Sequence, residues 1–132
     1  EFSLVFLDLD HFKGVNDTHG HLVGSRILSE FGRFMKKHVR SSDLCARYGG
    51  DEFVIILPST SKQGALAMVN NLRTMVAENV FLADNGERIR VTASYGISSC
   101  PEDGTTRESL IRVADSAMYD VKGASRDGVK AY

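Results

Sequence analysis

Two strand-like runs separated by a pair of glycines constrain this chain more than any other feature. Leu44 to Tyr48 and Glu52 to Leu57 read as strands, and Gly49-Gly50 between them has the turn chemistry of a tight antiparallel hairpin. The hairpin carries Asp51 and Glu52 at its tip. Upstream, Phe2 to Leu9 (F-S-L-V-F-L-D-L) is apolar on both parities until it meets Asp8 and Asp10. That is the pattern of a strand buried on both faces that ends at a site. If the hairpin lies beside this strand, two acidic clusters converge at one edge of the sheet.

Helical patterns fill the remainder. A short polar stretch with helix character reaches Gly20, and Ile27, Leu28, Phe31, Phe34, Met35 and Val39 then recur at three- and four-residue spacing, predicting a helix from about His21 to Val39. Ala65, Leu66, Val69, Leu72 and Val76 mark another amphipathic helix. Arg88 to Ser98 reads as a strand entered through an Asn85-Gly86 turn. Thr105-Thr106-Arg107-Glu108 has a capping-box pattern with Thr105 as the cap, and Leu110, Ala114, Ala117, Met118 and Val121 share one face of the helix that follows. Val129 to Tyr132 adds a short edge strand. The expected fold is α+β, an α/β sandwich with a ferredoxin-like mixed antiparallel sheet, helices packed on one face and the other face partly open.

The 132 residues suit one domain, with no repeat or Pro/Gly/Ser linker to divide them. Sixteen Lys and Arg against seventeen Asp and Glu leave a formal net charge of -1, which argues against a bulk electrostatic grip on a nucleic acid polymer or an anionic membrane. Any anion must then be held by a local site. The longest apolar run, Phe53 to Leu57, is far too short to span a bilayer, and the expected location is cytoplasmic. Cys45 and Cys100 stand outside any C-x-x-C or zinc spacing and read as small buried residues.

Several carboxylates at one sheet edge repel one another unless a cation sits among them, and hard oxygen ligands suit magnesium bound together with nucleotide phosphates. Asp8-x-Asp10 alone is a weak signal, since such acids also cap turns. Gly49-Gly50 serves a plain hairpin turn and equally lets a phosphate or ribose approach the backbone. The two readings are compatible.

Arg47-Tyr48-Gly49-Gly50-Asp51-Glu52-Phe53 resembles the signature of the GGDEF family of diguanylate cyclases. Asp8-Leu9-Asp10-His11-Phe12-Lys13 with Asn16-Asp17-Thr18-His19-Gly20-His21 resembles its second block, and Lys122 to Arg126 its third. The likeness covers essentially the whole chain, without the family's N-terminal helix, so residues 1–132 read as a GGDEF catalytic domain cut from a longer regulated protein. The resemblance implies that Asp8, the Leu9 carbonyl and Asp51 hold two Mg2+ ions, with Mn2+ as a substitute. It implies that Glu52 assists a 3′-hydroxyl attacking an α-phosphorus, with pyrophosphate leaving. Backbone amides around His11, Phe12 and Lys13, close approach at Gly49 and Gly50, and a clamp of Lys122 and Arg126 would bind phosphates. The clamp pair is four residues apart, on one face if the helix persists. His21 matches a position near the nucleotide. Catalysis would require a homodimer, because each domain brings one nucleotide.

One departure concerns base recognition. Asn16 and an Asp at the place of Ser25 usually hold guanine in the family, and this chain reads Gly24-Ser25 where Gly-Asp is expected. A carboxylate accepts from guanine N1–H and its amine and meets adenine N1 with no proton to share, whereas a serine hydroxyl donates or accepts. The change resembles the hybrid promiscuous branch, so the expected substrates are GTP and ATP, with cyclic GMP-AMP as product beside cyclic di-GMP and cyclic di-AMP. Serine as an ordinary helix-start residue in a GTP-specific enzyme is the alternative. Arg40-Ser41-Ser42-Asp43, five residues ahead of Gly49, matches the family's R-x-x-D product-inhibition site for a cyclic dinucleotide. A binding module without catalysis is the competing class, against which stand the retained Asp8, Asp51, Glu52, Lys122 and Arg126.

Overall fold

The computed structural model describes residues 1–82 and 86–132. The chain runs β1 (Phe2–Leu9), α1 (Phe12–His19), α2 (His21–His38), β2 (Leu44–Gly49), β3 (Glu52–Pro58), α3 (Lys62–Glu78), β4 (Phe81–Leu82), β5 (Arg88–Ile89), β6 (Ala93–Cys100), α4 (Arg107–Gly123) and β7 (Gly128–Ala131). Five strands form one sheet in the order β2-β3-β1-β6-β7, and β4 with β5 makes a separate two-stranded ribbon. Every neighbouring pair in the large sheet is antiparallel except β6 with β7, which is parallel. This is the mixed α+β sheet anticipated from the hairpin and the helical stripes.

Strand β1 lies at the centre because it is apolar on both parities. Val5, Leu7 and Leu9 join Ile27, Phe31 and Met35 of α2 and Val69, Leu72 and Val76 of α3 in the main core. Leu4 and Phe6 point the other way, onto Ala114 and Met118 of α4. Helices therefore cover both faces, correcting the one-face expectation: a central strand with two apolar parities needs a helix on each side to keep both out of water. The α4 face is the less covered one, and Val54 and Ile56 remain half-buried there. Gly96 lets α4 approach, since a Cβ at that position would stand 2.0 Å from the Ala114 carbonyl oxygen and 2.4 Å from the Met118 nitrogen.

Several boundaries move for identifiable reasons. The β2–β3 register shifts between Arg47 and Gly49, and Gly49 pairs with Glu52, so the turn residues are Gly50 and Asp51 rather than Gly49-Gly50. Gly50 has φ of 49°, the left-handed conformation that favours glycine. The predicted strand over 88–98 breaks in two: Arg88–Ile89 pairs with Phe81–Leu82, and β6 starts only at Ala93, opposite Leu9, where β1 ends. Asn85 of the expected Asn85-Gly86 turn lies outside the described residues. The α4 cap is Thr106, whose hydroxyl accepts from the Ser109 amide at 3.1 Å while Ser109 Oγ accepts from the Thr106 amide, a capping box one residue later than the Thr105–Glu108 reading. Cys45 and Cys100 are free and half-buried rather than buried.

Candidate active site

The ends of β1 and β3 bring the acidic clusters together. Asp8 pairs with Glu52 across the β1–β3 ladder, and the Leu9 amide donates to the Asp51 carbonyl at 3.2 Å, pinning the hairpin tip to the end of β1. Asp8 Oδ1 is buried with no hydrogen-bond partner among the described residues. Burial and contact with the Asp51 carboxyl, opposed by the Lys122 ammonium, push the Asp8 carboxyl up to about 7. Neighbouring carboxylates repel one another, so the cluster is short of positive charge. Burial, then the Asp115 and Asp51 carboxylates, also raises the Glu52 carboxyl above the usual carboxylate range.

Lys122 brings an ammonium group to this cluster. Its amine lies 3.2 Å from the Leu9 carbonyl oxygen, 3.2 Å from Asp10 Oδ1 and 3.7 Å from Asp8 Oδ2. The orphaned Asp8 oxygen, the Leu9 carbonyl and the neighbouring Asp51 fit a hard divalent cation. Among the described residues no group of three or more His, Cys, Asp or Glu is placed to hold a metal ion.

Asp10 is not a member of this open set. Its side chain is 1% exposed and accepts from Thr92 Oγ1 and Ser94 Oγ at 2.7 Å each, from the Asp127 amide at 2.9 Å and from Lys122. Burial works against its charge, but the bonds from Ser94, Thr92, the Asp127 amide and Lys122 outweigh it and hold the carboxyl below its ordinary 3.8. Asp10 thus positions Lys122 and the turn after α4. It also gives Asp127 a structural place: the Asp127 carboxylate lies 3.4 Å from Arg73 of α3.

Beside the acidic cluster a cavity of about 350 Å³ is walled by Phe12, Lys13, Asn16, His21, Ser25, Leu28, Arg47, Gly50 and Asp51. It unites residues singled out separately from α1, α2 and the hairpin. The N-terminus of α1 opens on this side, and helix geometry leaves the Phe12 and Lys13 amides without intrahelical acceptors, a ready anion site. His11 precedes them with φ of 57° and is exposed. Gly49 is paired within the ladder and does not line the cavity, whereas Gly50 does. Arg47 is a cavity residue that motif reading left without a role: its Nε donates to the Gly50 carbonyl at 2.8 Å. Its place beside the glycines in the signature was the signal.

Helix α4 ends at Gly123, so Lys122 and Arg126 do not share a helical face; Arg126 is exposed in a turn with φ of 51°. Arg40 and Asp43 sit away from the cavity and bind each other, with Arg40 Nη2 2.8 Å from Asp43 Oδ1 and the Arg40 amide 2.8 Å from Asp43 Oδ2. Arg40 Nη2 also donates to Thr60 Oγ1 at 2.7 Å and the Pro58 carbonyl at 3.2 Å, tying the end of α2 to the end of β3.

Comparison with known proteins agrees with this geometry. The family model for the diguanylate cyclase GGDEF domain matches residues 1–128, and the chain belongs to that family. It is 39% identical over 127 residues to diguanylate cyclase A of Treponema denticola, covering 96% of this chain and 34% of that protein. It is likewise 39% identical over 128 residues to the response regulator PleD of Caulobacter vibrioides, covering 96% and 28%. The chain therefore spans about a third of the length of these relatives. Among solved structures, the GGDEF domain of YfiN (TpbB) from Pseudomonas aeruginosa superposes with a TM-score of 0.94 at 31% identity, covering 98% of this chain and 81% of that one. The GGDEF domain of DgcB from Caulobacter crescentus, solved in complex with c-di-GMP, gives 0.88 at 29% identity, covering 98% and 77%. No helix among the described residues is long and apolar enough to cross a membrane.

Proposed function

We propose that this chain is the catalytic domain of a cyclic dinucleotide synthase, condensing two molecules of GTP into cyclic di-GMP with release of two pyrophosphates. The observation that carries the reading is the continuity of the 350 Å³ cavity with the acidic cluster: Asp51 belongs to both. Asn16, His21 and Ser25 take the base, while the Phe12 and Lys13 amides, Lys122 and Arg126 take phosphates. Asp8, the Leu9 carbonyl and Asp51 hold divalent cations, Mg2+ or Mn2+. When bound, these ions neutralise phosphate charge and stabilise the attacking and leaving oxygens. Glu52, raised by burial and by its acidic neighbours, accepts the 3′-hydroxyl proton. Each copy presents one nucleotide, so two copies face each other for reaction, and the domain works as part of a longer regulated chain.

A second reading concerns the substrate. Ser25 lies on the cavity wall in the position where the family usually carries a carboxylate, and this favours tolerance of ATP and formation of cyclic GMP-AMP beside cyclic di-GMP. Losing one base-reading pair relaxes discrimination by ~1–3 kcal/mol. The Arg40–Asp43 pair is the proposed seat of feedback inhibition by the cyclic product. Incubation at high protein concentration with Mg2+ and GTP, ATP or both, read by mass spectrometry, tests these claims. Cyclic di-GMP from GTP alone supports the main reading, and no product under dimerising conditions overturns it. Cyclic GMP-AMP from the mixture, abolished by Ser25→Asp, supports the second reading, whereas cyclic di-GMP alone from the mixture refutes it.

A further inference from the structure

Asn16, the half-buried base-reading residue proposed above, owes its position to a residue with no side chain. Gly24 is buried one turn into α2, and α1 packs against it there. A Cβ built on Gly24 would stand 1.8 Å from Asn16 Oδ1, 3.0 Å from Asn16 Cγ and 3.3 Å from the Cζ atom of Phe12. The Asn16 amide therefore occupies the space that any other residue at position 24 would fill. The cost of glycine inside a helix, about 1 kcal/mol against alanine, is accepted at this point.

We infer that Gly24 is a specificity-determining positioning residue: its missing Cβ is the socket that seats the Asn16 amide against the base of the bound nucleotide. The inference rests on the proposed role of Asn16. A base-reading amide has to be held within about 0.5 Å of its productive position. The Gly24 backbone supplies one wall and the buried Phe12 ring another. Because the clash is with the far end of a side chain, Gly24→Ala is accommodated by rotation of Asn16, with the fold intact and the amide displaced. Ser25 follows directly in the chain, so the base-reading wall combines an amide seated on one residue with a hydroxyl carried by the next.

The test is a double-mutant cycle on the whole chain using Gly24→Ala, Asn16→Ala and the double variant. Binding of non-hydrolysable GTP and ATP analogues with Mg2+ is measured by calorimetry, and thermal melts are recorded alongside. Gly24→Ala should weaken GTP-analogue binding about tenfold, the value of one hydrogen-bonded contact, and narrow the GTP-to-ATP affinity ratio. Its melting temperature should be unchanged or higher. In the Asn16→Ala background the same substitution should change binding less than twofold. Equal effects in both backgrounds, or unaltered binding by Gly24→Ala alone, overturn the inference. Should Gly24→Ala unfold the chain, recovery of the fold in the double variant supports the socket, and failure to recover assigns the clash to Phe12 and overturns it. Absence of any GTP-analogue binding by the unmodified chain refutes the proposed function instead, and unaltered binding by Asn16→Ala refutes that residue's role.

Discussion

Replacing Asp10 with asparagine removes a negative charge from a side chain that is 1% exposed and that four donors address. Thr92 Oγ1 and the Asp127 amide donate to Oδ2, and Ser94 Oγ and Lys122 Nζ to Oδ1. Asparagine keeps one acceptor oxygen and turns an NH2 toward the other pair. A hydroxyl of that pair can rotate and accept, but the Asp127 amide N–H, where it faces the NH2, has nothing to give a proton to, and the Lys122 ammonium, where it does, is left with the Leu9 carbonyl and the Asp8 carboxylate. An orphaned buried donor costs about 1–3 kcal/mol, and the surviving bonds fall from charge-assisted to neutral strength. Lys122 is 19% exposed and recovers part of its loss from water, which brings the total to about 3 kcal/mol. With a urea slope of about 2 kcal/mol/M, the midpoint of unfolding should fall by about 1.5 M with the slope unchanged. A shift below about 0.3 M would refute the reading of Asp10 as the knot that holds the α4 turn.

Gly96→Ala should destabilise by about 3 kcal/mol or abolish cooperative melting, because the new methyl meets Ala114 and Met118 backbone atoms that cannot rotate away; calorimetry reads this directly. Thr106→Ala should cost about 1 kcal/mol, a fall of about 4 °C in Tm, by removing the cap at the Ser109 amide. Arg40→Ala leaves the Asp43 carboxylate, whose side chain is 0% exposed, without its ion-pair partner, so the midpoint of unfolding in urea should fall. If Arg40→Ala lowers stability but leaves inhibition by added cyclic di-GMP unchanged, the pair is structural and the feedback proposal fails.

Much of the architecture is legible in local pattern. Strand β1, the hairpin, α2 from His21 and the core face of α4 follow from periodic burial and turn chemistry, and the observed bounds of α2, His21–His38, lie within one residue of expectation. Asn16, His21, Ser25, Gly50 and Asp51, singled out from separate motifs, line one cavity. Other features escaped that reading. Helix α4 ends before Arg126 because the chain turns back after Gly123 and the Arg126 amide bonds the Val121 carbonyl. Arg47 gained a role only when the bulge in β2 brought its guanidinium over Gly50.

The sequence by itself determined the local geometry and the chemical inventory: alternation sets strands, three- and four-residue spacing sets helical faces, and Asp8, Asp51, Glu52 and Lys122 supply the acidic and basic groups available at the edge of the sheet. Only the tertiary structure decided which of two similar acids does what. Asp8 and Asp10 share a motif, yet Asp8 keeps an unpartnered oxygen at the site while Asp10 is bound by Thr92 and Ser94, 82 and 84 residues further along the chain. Local pattern can specify a backbone conformation and a parity, because those depend on neighbouring residues. The partner that meets a given side chain depends on contacts closed across the whole fold, and so does the hydrogen-bonding that holds Asp10 ionised while Asp8 is pushed up.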